Sequence, residues 1–378
     1  LCVKDKRRRK LMNPIILDKV RGCMLGGAVG DALGYPVMNL NIDDIRKEHG
    51  ENGISEYLLD ENGKAGISDI TQLSLFTANG ILSGKTKACK IGTEGPDVAT
   101  VCQAYKDWVK TQESDNTNES HTTWLYNIEN LHSRRHSLES GIDIFKGDFG
   151  SVEKPEKLGM DFGAITRIAP VGLYFKEENM QIEEIDVFAA NVAASTHGYD
   201  AAYISAAILA HIINKVTYTE MTLKEAVSDA MNTVKRLCGY KPHVESVMEG
   251  LSRAVSLAGD DIDDKEAVSE IGIGNSADEV LAAAIYFSLK YEEDFEKAIH
   301  AAVNNDGKSG AIASVTGNIL GAYLGARAIP EKYLEKLELR HIIQIIAEDL
   351  HEDCPNTNYF DNFNWIWEEK YGEACYII

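Results

Sequence analysis

Positive charge is scarce in this chain: 38 Lys and Arg residues stand against 59 Asp and Glu, a formal charge of −21. That balance argues against electrostatic capture of nucleic acid or of an anionic membrane, both of which select basic surfaces. Long apolar runs are missing as well, and none approaches the ~20 residues that a membrane span needs. Proline is sparse, with 8 in 378 residues, and no proline divides the chain into obvious modules. The seven cysteines (Cys2, Cys23, Cys89, Cys102, Cys238, Cys354 and Cys375) are odd in number, scattered and free of any Cys-x-x-Cys pair. Neither a disulfide framework nor a zinc site follows from such usage, and free thiols in a reducing cytoplasm fit it best.

What is present is helical patterning of ordinary apolar content, 44%. Residues 1–12 contain the basic run Lys4 to Lys10 and lead to an internal Met12. No apolar segment of signal-peptide type follows, so we read them as a flexible tail before one domain over 13–378. The stretch Val20 to Leu33 has the small, apolar, glycine-rich composition of a buried helix. Asp69 to Leu82 carries apolar residues at helical spacing with Ser68 as its N-cap. Ile185 to Val216 is helical around an interruption at His197-Gly198. Thr222 with Glu225 forms a capping-box pattern before Leu223 to Leu237, and Ser276-Ala-Asp-Glu opens a helix to Lys290 in the same way. Further helices are expected over Ile312 to Ala326 and Glu338 to Leu350, and a polar loop over Gln112 to Ser120. Strand candidates are only Ile54 to Leu59 and Leu173 to Phe175. One all-α domain, a compact orthogonal helical bundle without repeats, is the economical architecture.

Five segments stand out chemically. The first is Arg21-Gly-Cys-Met-Leu-Gly-Gly-Ala-Val-Gly-Asp31-Ala-Leu-Gly34. Glycine inside a helix costs ~1 kcal/mol against alanine, so glycines this dense imply close helix packing or backbone approach. A phosphate loop is excluded, since no Gly-Lys-Ser/Thr follows. The second, Gly66-Ile-Ser68-Asp69-Ile70-Thr71-Gln72, reads by itself as a helix cap. The third is Gly163-Ala164-Ile-Thr-Arg167-Ile-Ala-Pro-Val-Gly172, in which Arg167 reads as a structural partner for a carboxylate. In the fourth, Ala193-Ala-Ser-Thr-His197-Gly-Tyr199, a lone histidine in an apolar setting reads as a satisfied core residue. The fifth is Asn304-Asn-Asp-Gly-Lys308-Ser-Gly310-Ala311, which opens a helix through Gly317 and Gly321.

Taken in this order, the five segments resemble the ADP-ribosylglycohydrolases from about Arg21 to Tyr323. The resemblance implies a family that cuts ADP-ribose from modified proteins with two magnesium ions. It also implies what is missing. The family's catalytic glutamate, seven residues after the Asp of the first segment, is Met38 here, and a thioether accepts no proton. The family's Ser/Thr-Asp-Asp-Thr run keeps Ser68 and Asp69 but has Ile70 as its second carboxylate. Its late Asp-x-Asp-Ser/Thr run has become Lys308, Gly310 and Ala311.

Magnesium requires near-octahedral oxygen ligation, partly from carboxylates. No catalytic residue is therefore assigned, no cofactor is expected, and Ser68 and Asp69 remain as a remnant of the metal site. Asp69, Gly163, Ala164, His197 and Lys308 are the ligand-binding positions that the resemblance implies. The function read from it is a non-catalytic protein of this fold, with ADP-ribose or an ADP-ribosylated protein as partner, and monomeric. The alternative is an active hydrolase of ADP-ribosyl-protein N- or O-glycosidic bonds with a rewired, metal-poor site. In it Lys308 stands in for metal charge and Asp43, Asp44, Glu48 or Glu51 supplies a displaced carboxylate, although that polar stretch reads as solvent-facing. Lys308 is also expected within about 4 Å of the Asp69 carboxylate, the ion-pair limit.

Overall fold

Helices account for the regular structure in a computed structural model that describes residues 13–113, 120–135, 137, 141–176, 180–355 and 364–372. In chain order they are α1 Pro14–Gly34, α2 Ile42–His49, α3 Asp69–Ile91, α4 Val98–Glu113, α5 Ala169–Tyr174, α6 Ile182–Ala194, α7 Asp200–Tyr218 and α8 Leu223–Cys238. There follow α9 Val244–Leu257, α10 Asp264–Ile271, α11 Ala277–Lys290, α12 Phe295–Val303, α13 Ser309–Leu324, α14 Glu331–Leu334, α15 Arg340–Glu352 and α16 Trp365–Tyr371. Among the described residues there is no sheet, only isolated bridges such as Leu59 with Ala65. The strand expected at Leu173 is the end of α5, and 54–59 is irregular backbone with a bend at 56 and one such bridge, at Leu59. Short apolar runs carry no periodicity that separates a strand from a buried turn of helix, which is why both readings failed. The basic tail, Cys2, Cys375 and most of the polar loop lie outside the described residues.

Local signals set the helix ends. The Ser68 hydroxyl caps α3 by accepting from Ile70 N at 3.2 Å. Thr222 and Glu225 make the reciprocal capping box of α8. Ser276 precedes α11 without a side-chain cap, and Glu279 reaches past it to the amides of Gly274 and Asn275. His197-Gly198 falls in the turn between α6 and α7, where Gly198 N donates to Lys157 O at 2.9 Å.

The axis of the molecule is the pair α1 and α13. Gly22, Gly26, Gly30 and Gly34 recur every four residues and so share one face of α1. A methyl group on Gly22 would lie 2.2 Å from Gly321 O, on Gly26 2.3 Å from Gly317 O, and on Gly30 2.1 Å from Ala313 O. At Gly34 it would meet the Gly310 Cα at 2.7 Å. The partner numbers fall as the glycine numbers rise, so the helices run antiparallel with their backbones in direct contact. This register brings the C-terminal end of α1 to the N-terminal end of α13. Two of the five segments thereby become neighbours, although nearly 300 residues separate them in sequence.

Candidate functional site

Asp31, in the small and apolar run 22–34 that ends α1, is fully buried. Burial of a carboxylate is tolerable only with partners, and α3 provides them. Asp31 Oδ2 accepts from Ser68 N at 2.9 Å, Thr71 N at 3.3 Å and Thr71 Oγ1 at 2.6 Å, while Oδ1 accepts from Ser68 Oγ at 2.6 Å. One side chain of α1 thus clamps the first turn of α3 and occupies two of its free amides. Desolvation pushes the Asp31 carboxyl up to about 6, against the pull of the Ser68 and Thr71 donors, and the nearby Asp69 charge adds to the rise.

Asp69, buried beside this clamp, turns the other way. Its carboxylate accepts from Ser137 N, at 2.9 Å to Oδ2, and from the Ser137 hydroxyl. Asp69 N donates to Arg135 O at 3.1 Å, and Gln72 Nε2 donates to Ser133 O at 3.0 Å. Arg135 in turn bonds Ile67 O and pairs with Glu338, whose carboxylate also accepts from Ile67 N at 2.9 Å. Residues 133, 135 and 137 therefore lie across the start of α3 as a strap.

The remaining positions singled out in the sequence differ in their surroundings. Met38 is buried, and its Cε lies where a methyl group on Gly310 would come within 2.5 Å. Ile70 and Ala311 are fully buried in the core. Lys308 is half-buried at the start of α13, with its amide donating to Ile273 O at 3.0 Å. Asp43, Glu48 and Glu51 are exposed, Asp44 is partly so, and Asp43 pairs with Lys265.

A magnesium site would need several oxygens free to converge at ~2.0–2.1 Å. Here the oxygens of Asp31 and Asp69 accept from protein donors, and Ser68 Oγ both donates to Asp31 and accepts from Ile70. Among the described residues no three His, Cys, Asp or Glu side chains gather as a metal requires. The residues present do not fit the family's two ions. The end of α1 thus touches both segments: Asp31 clamps Ser68 and Thr71 at the start of α3, and Gly34 and the following Met38 meet Gly310 at the start of α13. A groove of about 550 Å³ opens elsewhere, at the elbow of α7 and α8 around Glu220, Glu225 and Asp229, and no motif residue lines it.

Gly163, Ala164 and His197 form a second buried cluster. His197 Nε2 meets Asp161 Oδ1 at 3.0 Å and Nδ1 meets Thr196 Oγ1 at 2.7 Å. The Asp161 carboxylate can only accept, so Nε2 carries the proton, and Thr196 Oγ1, which accepts from Arg167 Nη2 at 2.7 Å, donates its own proton to Nδ1. That assigns the neutral tautomer with the proton on Nε2, donated to Asp161. Burial lowers the His197 pKa against the raising effect of Asp161, which favours the same neutral form. Asp161 also caps the next turn through Gly163 N at 2.8 Å.

Arg167 is fully buried, and among the described residues it has no carboxylate partner, contrary to the sequence reading. Its donors go to Tyr105 Oη, Gly163 O, Thr196 Oγ1 and, at 3.3 and 3.4 Å, to the Val192 and Ala193 carbonyls that end α6. The guanidinium lies 4.9 and 5.1 Å from the Tyr105 and Phe145 ring centroids. A helix C-terminus carries about half a negative charge, and aromatic faces attract cations. Together these replace the missing anion.

Sequence reasoning passed over Asp31 and Asp161 as site-forming residues. For Asp31 a signal was available, since a lone carboxylate in a buried helix has to be paired.

A profile of the ADP-ribosylglycohydrolase family matches residues 12–359, nearly the whole chain. An uncharacterized protein of Archaeoglobus fulgidus is 28% identical over 340 residues, 89% of this chain and 96% of the relative. ADP-ribosylarginine hydrolase Tri1 of Serratia proteamaculans is 24% identical over 343 residues, 91% of this chain and 81% of that protein. ADP-ribosylhydrolase ARH3 of Mus musculus is 24% identical over 216 residues, covering 50% of this chain and 56% of its own. Among solved structures, an ADP-ribosylglycohydrolase-related protein complex superposes with a TM-score of 0.54 at 22% identity, over 89% of this chain and 98% of that one. With the profile spanning the packed helices and all five segments, this chain belongs to the ADP-ribosylglycohydrolase family.

Proposed function

We propose that the protein is a non-catalytic member of its family, one that keeps the fold and has given up magnesium-dependent hydrolysis. The observation that carries this reading is the state of the retained carboxylates. Asp69 and Asp31 are saturated by Ser137, Ser68 and Thr71, while Met38 packs against Gly310 where acid–base and metal chemistry would be needed. Two-metal catalysis needs ions that polarise the substrate and activate water. A hydroxyl already bonded twice and a thioether offer neither. A role in binding, with an ADP-ribose moiety or an ADP-ribosylated protein as the family's chemistry suggests, is what remains.

Calorimetry with ADP-ribose, with and without magnesium, tests the reading beside a release assay on ADP-ribosylated arginine and serine substrates. Magnesium is expected neither to bind at this site nor to release ADP-ribose. Metal-stimulated turnover that disappears in Asp69→Ala would overturn the proposal.

A further inference from the structure

A small void lies in the core where α1, α3, α13 and α15 meet the 166 segment. Met24, Gly27 and Ala28 line it from α1, and Leu75 and Ile343 add apolar walls. The rest of the lining is polar: Thr71, Ser74, Thr166, Ser314 and Asn318. Thr166 Oγ1 and Asn318 Oδ1 are buried here without a hydrogen-bond partner. Both residues are more than nine-tenths buried, at 1% and 3% exposure. The orientation of Asn318 is not arbitrary. Its Nδ2 donates to Cys23 O at 2.8 Å, so the amide oxygen is turned into the void. Gly27 makes that placement possible, since a methyl group there would lie 2.1 Å from Asn318 Nδ2.

We infer that this void is a binding site for one internal water molecule, which cross-links the helices that carry the family's motifs. An amide oxygen and a hydroxyl left unpaired in the core forfeit the hydrogen bonds they make to water in the unfolded chain, so the site strongly favours a polar occupant. The void gives the centre of a water-sized sphere about 10 Å³. That is about what one water requires, and any larger ligand is excluded. Two to four polar partners are also required, and the lining supplies them. Thr71 directs its proton to Asp31, so its oxygen is left to accept. The water donates to Asn318 Oδ1 and to Thr71 Oγ1, and accepts from the Thr166 hydroxyl. It thereby extends the Asp31 clamp from α3 to α13 and the 166 segment through a single mobile part.

Two measurements on the full chain decide the matter. A high-resolution diffraction structure should place one solvent peak within hydrogen-bonding distance of both Thr166 Oγ1 and Asn318 Oδ1. A dry void would overturn the inference. In solution, oxygen-17 relaxation dispersion counts waters held longer than the protein takes to tumble. The near-isosteric Thr166→Val should shorten the residence of one such water by roughly 5-fold, the effect of one lost hydrogen bond. Ser314→Ala, which removes only one oxygen from the lining, serves as a second variant. Dispersion amplitudes and residence times equal to those of the unmodified protein in both variants would refute a water at this site.

Discussion

Replacing Asp31 by asparagine should change how stability depends on pH in a direction set by the buried clamp. The free carboxyl has an ordinary value of 3.8, and burial in the folded protein raises it to about 6. Between these two values the folded state holds a proton that the unfolded state has released. Stability from this group is therefore complete below pH 3.8 and is lost as pH rises through about 6. The shift, at ~1.36 kcal/mol per pH unit, corresponds to about 3 kcal/mol. Asparagine nearly preserves the shape. Its oxygen, placed at the Oδ2 position, keeps the Ser68 N, Thr71 N and Thr71 Oγ1 donors, and the Ser68 hydroxyl can rotate to accept from the new amide. Urea unfolding of both proteins at matched pH values isolates the effect, because the background titration of the acidic surface cancels in the difference. The native protein should be the more stable of the two near pH 4 and lose about 3 kcal/mol relative to Asp31→Asn by pH 8. Asp31→Ala, which orphans four donors, should cost about 3–5 kcal/mol near pH 4, a cost that shrinks by the same ~3 kcal/mol by pH 8 because alanine does not titrate either. A difference between the native protein and Asp31→Asn that stays flat, or grows with pH, would show that the donors from Ser68 and Thr71 outweigh desolvation and that the reasoning is wrong.

Further consequences follow from the packing. Gly317→Ala would place a methyl group 2.1 Å from Gly26 O, a backbone atom that cannot yield; a loss of about 3 kcal/mol or more is expected in thermal unfolding. Gly250→Ala in α9 meets nothing within 4 Å and should raise stability by about 0.5–1 kcal/mol, so equal effects at the two positions would contradict the packing account. Arg167→Lys should cost about 2–4 kcal/mol and match Arg167→Met, because one ammonium cannot reach Tyr105, Gly163 and Thr196 at once; full retention of stability by lysine would argue against the fork geometry.

Several features of this protein were legible in its sequence because they rest on local physics. The α3 start at Ser68 and the capping box of α8 depend on side chains reaching amides two or three residues away, and such contacts are encoded by spacing alone. Ile185 to Val216 and its break at His197-Gly198 were readable for the same reason. The glycine run announced close packing without naming what it packs against. The ordered motifs pointed to the family, because their order and spacing survive where single residues have changed.

Tertiary structure decided everything that needed two distant segments in one place. Only the antiparallel register of α1 and α13 puts Met38 beside Gly310, because a glycine face specifies closeness but not its partner. The roles of Asp31 and Asp69 were set in the same way, one turned into the first turn of α3 and the other toward Ser137. Arg167 illustrates the limit most sharply. An arginine in an acidic chain suggested a carboxylate, yet the end of α6 and two aromatic faces hold it. Backbone dipoles and ring quadrupoles have no residue letter of their own, so their fields exist for a reader only once the fold has aligned them.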